Sequence, residues 1–377
     1  MTPPRKARLS EYDQLVSFLS SIFGMRMDLV YCHIYKPTQK DMANNIVILD
    51  DGHIVSCVGI FPLTFICGEA SLSVGGIGGV STEPRYRGRG LMTRLLDKSI
   101  SIMKQQNYDI SILWGDRRRY GHFGWENAGR QYVFTIDRRH VPPGKAGDGE
   151  IRPLSPSSDE LGRIARLYEQ WKLRVHRTPA QVKSVFRRHM FDTWVWTKGR
   201  AFAYMTIRRT TKIPELMEFG GDLPGLDELL SFVFKEYQLE TLAGRMAVSR
   251  SPYLPFTIRR SSEWGVRFIG MVKILSLCSV LEKFSTQIGK KCRGLGLKGA
   301  LTLQMTDSGQ VATLHFGTSL TVSERKSKPT LALSDTEMVR LVFGTIPPSH
   351  SLGLDRSLGY LDAIFPLDFF VSGLDYV

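Results

Sequence analysis

Between Val80 and Arg94 the chain reads Val-Ser-Thr-Glu-Pro-Arg-Tyr-Arg-Gly-Arg-Gly-Leu-Met-Thr-Arg. Arg87 and Arg89 alternate with Gly88 and Gly90, directly ahead of a segment in which Met92, Leu95, Leu96, Ile100 and Met103 recur three or four apart. That period marks one apolar face of a helix. The first N–H groups of a helix lack partners within it and carry the positive end of its dipole, so such a turn is suited to holding an anion. Glycine admits close approach of the backbone to a ligand, and the planar guanidinium fork matches phosphate oxygens. The plain alternative is a strand-turn-helix junction with solvated arginines. A Walker loop is excluded, because no Gly-Lys-Ser/Thr follows, and the turn lacks the Gly-x-Gly-x-x-Gly of dinucleotide sites.

A second cluster runs Gly115-Asp116-Arg117-Arg118-Arg119-Tyr120-Gly121-His122-Phe123-Gly124-Trp125. It holds a phenol, an imidazole and a carboxylate within one turn. Phe123 and Trp125 read as core, since burial is the usual work of aromatic rings. His122 is a conventional base by type, yet its place in a turn reads equally as groove wall. Glu83 and Asp116 read as solvated turn carboxylates. The tail, Phe365 to Val377, is dense in aromatic residues. Exposed tails are normally polar and loose, so this one is expected to dock.

These segments need elements to position them. Helix is expected over Ser10–Phe23, and strands over Asn45–Leu49, Ile54–Phe65 and Leu72–Val80. The helix after Gly90 is followed by strands Asp109–Trp114 and Gln131–Ile136. Residues 141–160, rich in Pro, Gly, Ser and Asp, read as a linker. A second set follows: helices Asp159–Trp171 and Pro179–Met190, a hairpin Thr193–Arg208, a strand Pro214–Phe219 and a helix Leu226–Tyr237. It has no phosphate turn, and Gly220-Gly221 is turn chemistry. A third set has helices Ser276–Phe284 and Asp335–Phe343, and strands Leu301–Met305 and Val311–Phe316. The fold class is α/β (α+β), with domains at 1–145, 155–265 and 268–377.

Composition sets outer limits. A chain of 377 residues is expected to hold two or three domains. Hydrophobic content of 42% and charged content of 23% are those of a soluble globular protein. The longest apolar stretch, Ile54–Cys67, contains Gly59 and Pro62 and is too short to cross a bilayer, so no membrane partner is expected. No secretory leader is read at the N-terminus. Five widely spaced cysteines (Cys32, Cys57, Cys67, Cys278, Cys292) suggest reduced thiols in the cytoplasm and no zinc pair. The net charge of +14 would suit nucleic acid. Its 50 basic residues are spread along the chain, however, and two of three local clusters already flank the proposed anion site. Nucleic acid is not the expected partner.

The turn at Arg87, Gly88, Arg89, Gly90, Leu91 and Met92 resembles the Arg-x-x-Gly-x-Gly/Ala segment of GNAT acetyltransferases, which cradles the pyrophosphate of acetyl-CoA. Met92 replaces the usual small residue, as in the Eis (enhanced intracellular survival) branch. Tyr120, Phe123 and Trp125 are similar to the Tyr-x-x-Phe-Gly-Phe/Tyr phrase that closes the acyl-CoA groove. The third segment resembles the sterol-carrier-protein-like domain of Eis-like enzymes. The resemblance implies tandem GNAT-like domains, acetyl-CoA as cosubstrate and an amine acceptor, either a small molecule or a lysine-like side chain. It implies that Val80, Ser81 and Thr82 contact the acetyl and pantetheine portion, that 88–93 including Thr93 takes the pyrophosphate, and that Gly115 and Asp116 lie near the reactive end. Tyr120 would be the proton donor: a phenol of pKa about 10 can protonate a thiolate whose acid lies near ~8.5. The carboxylate of Val377 would be the base. Eis-like enzymes with acidic pockets take polycationic amines; Arg117, Arg118 and Arg119 would oppose that if they faced the acceptor. A homo-oligomer is left open. The competing class is a degenerate acetyltransferase scaffold serving as a binding or regulatory module.

Overall fold

The computed structural model describes residues 1–142, 149–155, 159–209, 211–249, 251, 253–324 and 330–377. Its first sheet is assembled from β1 (Arg5–Lys6), β2 (Asn45–Asp50), β3 (His53–Cys67), β4 (Ala70–Thr82), β5 (Ile110–Leu113) and β6 (Glu126–Ala128). Alternation in β2 decides which helix covers which face. Ile46 and Ile48 pack with Leu91, Leu95 and Leu96 of the helix Leu91–Gln105. Val47 and Leu49 pack with Leu15 and Leu19 of the helix Tyr12–Phe23. Period two in the strand and three to four in each helix give a three-layer unit with two separate cores.

The second sheet contains β7 (Gln131–Asp137), β8 (Glu150–Pro153), β10 (Phe191–Lys198), β11 (Ala201–Arg208), β12 (Glu215–Gly221), β13 (Thr241–Ala247) and β14 (Glu263–Arg267), while β9 (Leu173–Val175) pairs with β3 of the first. Its order is β14-β7-β13-β12-β11-β10-β8. Met205 and Ile207 face the helix Leu223–Glu236, and Tyr204 faces the other side with Ile164 and Val182. β15 (Gly270–Ile274) returns to the first sheet, between β5 and β6. The last sheet holds β16 (Gly299–Met305), β17 (Val311–Phe316), β18 (Thr321–Ser323) and β19 (Leu331–Leu333). Leu301, Leu303 and Leu314 share one core with Leu72, Val74 and Ile112 of the first sheet.

Two boundaries expected from the sequence are corrected. The strand expected over Gln131–Ile136 falls in the first segment by its place in the chain, but it pairs along its whole length with β13. The range 141–160 is not wholly a linker: Glu150–Pro153 forms an edge strand on β10, although 143–148 and 156–158 lie outside the described residues. Long-range pairing, invisible in local composition, decides both. The helix expected over Pro179–Met190 ends at Val185, with Phe186 as its cap. All five cysteines are free. Among the described residues no metal-binding cluster occurs, and no helix is long and apolar enough to cross a membrane.

In each of the first two sheets a parallel pair starts together and then parts. β4 and β5 pair from Val74↔Ile110 to Gly76↔Ile112 and no further. β12 and β13 pair only at Glu215↔Ala243 and Leu216↔Gly244. Each unit therefore contains a wedge.

Candidate active site

After β4, Pro84–Tyr86 makes one 3-10 turn, and Gly88 and Gly90 follow with φ of +77° and +71°. Left-handed backbone favours glycine at both. A Cβ at either would meet nothing within 4 Å, so it is the backbone conformation, facing open space, that demands glycine. Gly90 caps the helix Leu91–Gln105, and Arg94 is the first residue to close the ladder, its N–H donating to Gly90 O at 3.1 Å. The preceding N–H groups of Leu91, Met92 and Thr93 point out of the helix end. Leu91 is buried, Met92 half-buried and Thr93 exposed. Arg87 and Arg89 are exposed, and neither forms an ion pair among the described residues; Arg85 is paired with Glu83 at 2.8 Å. Arg89 lies over the Tyr86 ring at 5.0 Å, while the Tyr86 hydroxyl donates to Asp50 at 2.9 Å.

Upstream, β4 carries one residue more than β3 between Gly78 and Ser81, a bulge with Gly79 at φ +59°. A Cβ on Gly79 would lie 2.6 Å from the Tyr35 hydroxyl. That hydroxyl is buried and has no hydrogen-bond partner among the described residues. Burial raises its pKa well above the usual tyrosine value. Ser81 and Thr82 turn their hydroxyls inward, to Gly79 O at 3.1 Å and Ser56 Oγ at 2.8 Å, so only their backbone is available to a ligand in the wedge.

Asp116 accepts from Arg118 N at 2.8 Å and starts the short helix Arg117–Tyr120. Gly115 lies against the Tyr120 ring, where any Cβ would overlap it. Both residues therefore place Tyr120. The Tyr120 ring is buried edge-on to Trp125, 6.4 Å between centroids. Its pKa is raised by burial and pulled partly back by Arg119. The three arginines do not act as a group. Arg117 is held by Glu126 at 2.5 Å, Arg118 is exposed, and Arg119 stands by the Tyr120 hydroxyl. His122 is exposed on a 3-10 turn.

The tail is buried and tightly held. Arg177 binds Asp375 at 2.7 and 2.8 Å and Glu218 at 2.7 and 3.1 Å. Arg177 is 3% exposed, Glu218 0% and Asp375 4%, so these charges are removed from water. Tyr168 donates to Asp375 at 3.0 Å, Ser372 to Glu218 at 2.7 Å, and Arg188 to Leu374 O at 2.9 Å. Arg245 on β13 donates to the Tyr376 hydroxyl at 2.9 Å, and the Tyr376 ring lies 4.3 Å from that of Trp114. His33 Nε2 lies 3.1 Å from Tyr376 O. A carbonyl only accepts, so Nε2 carries the hydrogen. Burial and the charge of Arg188 hold His33 well below its ordinary pKa, which leaves Nδ1 bare; it has no partner among the described residues.

This network delivers Val377 to β4. A Cβ on Gly76 would lie 2.6 Å from Val377 Cγ2, and one on Gly78 would lie 2.9 Å from its carboxyl carbon. Val377, Tyr120, Trp114, Tyr35 and Gly78–Val80 line one cavity of about 220 Å³. A second cavity of about 400 Å³ meets it at Ile34 and Val377 and reaches His33, His176 and Arg177. The residues that clamp the tail are absent from the sequence reading. Removing the guanidinium as Arg177→Met strands two buried carboxylates, a change of about 3–5 kcal/mol by analogy with broken buried ion pairs. We expect a lower melting temperature and loss of turnover, with Arg177→Lys recovering part of both. A melting curve equal to that of the unsubstituted protein would show that the clamp does not hold the tail.

Residues 3–128 match the family model described as an acetyltransferase (GNAT) domain. The matched residues make up the first unit, which holds the glycine turn and Tyr120. N-acetyltransferase Eis of Mycobacterium tuberculosis and of Mycobacterium bovis are each 27% identical to this chain over 115 residues, 29% of this chain. The match spans 28% of the length of these curated relatives. Among solved structures, a GCN5-related N-acetyltransferase from Anabaena variabilis has a TM-score of 0.74 at 17% identity, covering 99% of both chains. Eis1 from Mycobacterium abscessus has a TM-score of 0.67 at 12% identity, covering 98% of this chain and 99% of its own. At those identities the shared feature is the fold, across the whole chain.

Proposed function

We propose that the protein transfers the acetyl group of acetyl-CoA to a primary amine, of a small molecule or a lysine-like side chain. The observation that carries this reading is that Tyr120 and the carboxyl end of Val377 line one cavity beside the open β4–β5 wedge, while the free helix end at Leu91–Thr93 follows β4. In this reading Gly88–Thr93 with Arg87 and Arg89 hold the pyrophosphate, and the backbone of Val80–Thr82 aligns the acyl arm. Gly115 and Asp116 act by placing Tyr120. The amine nitrogen forms a C–N bond to the acetyl carbon as the C–S bond breaks. The ammonium proton leaves to the Val377 carboxylate, directly or through water, and the departing thiolate takes the phenolic proton of Tyr120. The second proton, lost from nitrogen as the amide forms, returns to the Tyr120 phenolate through water, and the proton held by Val377 passes to solvent, so protons and electrons balance without a further reactant.

A binding module without catalysis is the second reading, but a module has no need of a phenol and a carboxyl group converging on one cavity. We read residues 268–377 as a sterol-carrier-like unit whose task here is to deliver the tail, and five free cysteines favour a reducing cytoplasm. Titration with acetyl-CoA tests the first step, since a ligand bound by the folded state raises its melting temperature; release of free thiol on adding an amine tests the second. Gly90→Val forces a β-branched residue into left-handed backbone, which costs about 1–3 kcal/mol. The expected result is a melting temperature lower by a few degrees and at least about tenfold weaker acetyl-CoA binding, as one lost charge-assisted hydrogen bond would cause. Unchanged affinity in calorimetry would remove the pyrophosphate assignment.

A further inference from the structure

We propose that the acceptor is an amine with one positive charge on an aromatic or otherwise apolar body, and not a polycation. The inference rests on the transferase reading and narrows it. Among the described residues no charged side chain lines the cavity shared by Tyr120 and Val377, and the charge that comes nearest to Tyr120 is the cationic Arg119. Away from the wedge its wall is made by residues 23–35, with Phe23, Met25, Met27, Tyr31 and Ile34 turned to it. Phe23 and Met25 are 39% and 41% exposed, so apolar surface is displayed at the mouth, where a ligand would cover it. Trp114 and Tyr376, packed together, supply π surface at the back. Beside them the buried Tyr35 hydroxyl lacks a partner among the described residues, which marks a hydrogen-bonding position inside this apolar chamber.

An acyl arm lying along β4 enters from Thr82 towards Val80, so the space between Val377 and residues 23–35 falls to the acceptor. One ammonium there meets the Val377 carboxyl group and the faces of aromatic rings, both favourable to a cation. A second ammonium on the same molecule would lose its water against Met27 and Ile34 with no counter-charge, and an unpaired buried charge is strongly disfavoured. The adjoining chamber gives no relief. Arg177 is shared there between Asp375 and Glu218, Asp41 accepts from the neutral Thr38 hydroxyl at 2.6 Å and keeps its charge, and Lys36 and Lys40 form no ion pair among the described residues. The single free carboxylate is outnumbered there by the two lysines, so a second cation finds no net counter-charge.

The test compares 2-phenylethylamine with spermidine as acceptors for the full chain with acetyl-CoA, reading thiol release. The expected result is a kcat/KM for 2-phenylethylamine at least about tenfold higher, reading the ratio as differential transition-state binding. Met25→Glu, at an exposed position that tolerates charge, should move that ratio towards spermidine. Equal or preferred use of spermidine overturns the proposal, as does an unchanged ratio in Met25→Glu. Acetyl-CoA binding with neither amine acetylated also overturns it, whereas failure to bind acetyl-CoA overturns the transferase reading itself.

Discussion

Adding a few residues after Val377 abolishes turnover and leaves acetyl-CoA affinity nearly unchanged. The extension turns the carboxylate into a neutral amide. It also needs room that Gly78 does not leave, since even a Cβ on Gly78 would lie 2.9 Å from the Val377 carboxyl carbon and 3.2 Å from its oxygen. The phosphate turn is untouched, so binding and turnover separate. Val377→Leu keeps the carboxyl group and should be tolerated. An α-carboxylate has a reference pKa of about 3.3–3.7, so at neutral pH it is ionised and takes the ammonium proton best through water or after desolvation. The mass of the C-terminal peptide establishes that the Val377 carboxyl group is free in the protein assayed. If the extended chain turns over its acceptor at the normal rate, the carboxylate is not the base. The next candidate is then the bare Nδ1 of His33, which lines the adjoining cavity that Val377 also borders, whereas His122 is exposed and lines neither.

Tyr120→Phe retains acetyl-CoA affinity and lowers kcat by about 10²–10⁴-fold, the range for loss of a general acid. The ring stays packed on Gly115 and Trp125, so the melting temperature should move little. The pH dependence gives an independent check. Burial raises the phenol, so the protonated form that donates persists beyond a tyrosine's usual pKa of about 10. The rate of the unsubstituted protein should therefore fall only above that pH, and the Tyr120→Phe variant should lack this alkaline limb. A near-normal kcat would leave Tyr120 a packing residue.

How far these residues can be read from the chain depends on how local their reasons are. Gly88 and Gly90 satisfy a backbone need within a single turn, and the apolar period from Met92 to Met103 belongs to the helix they start, so both are legible. Tyr120 lies in a phrase of six residues, and Asp335–Phe343 carries its own capping box. Arg177, Glu218 and Asp375 are not legible as a group, because the arginine is 41 and 198 residues from its partners. One signal is available. Glu218 stands between Met217 and Phe219 in an apolar strand, and a carboxylate there must be paired; the glycines after it draw attention to the turn instead. β9 and β15, of three and five residues, join the first sheet from distant parts of the chain, and nothing in their composition says which sheet they complete.

The wedge of the second unit has a consequence for how the chain can be divided. The tail lies where β12 and β13 part: Gly373 packs on Met217, Ser372 donates to Glu218, and Arg245 holds Tyr376. The groove that the first unit keeps open is in the second filled by the chain's own last residues. The middle of the protein thus lacks part of its interior until the final segment is in place. Cuts near 145 or 265, natural as they look along the sequence, would yield fragments rather than modules, and the units should melt as one cooperative body. Recombination or domain grafting at those points would carry away half of a shared structure.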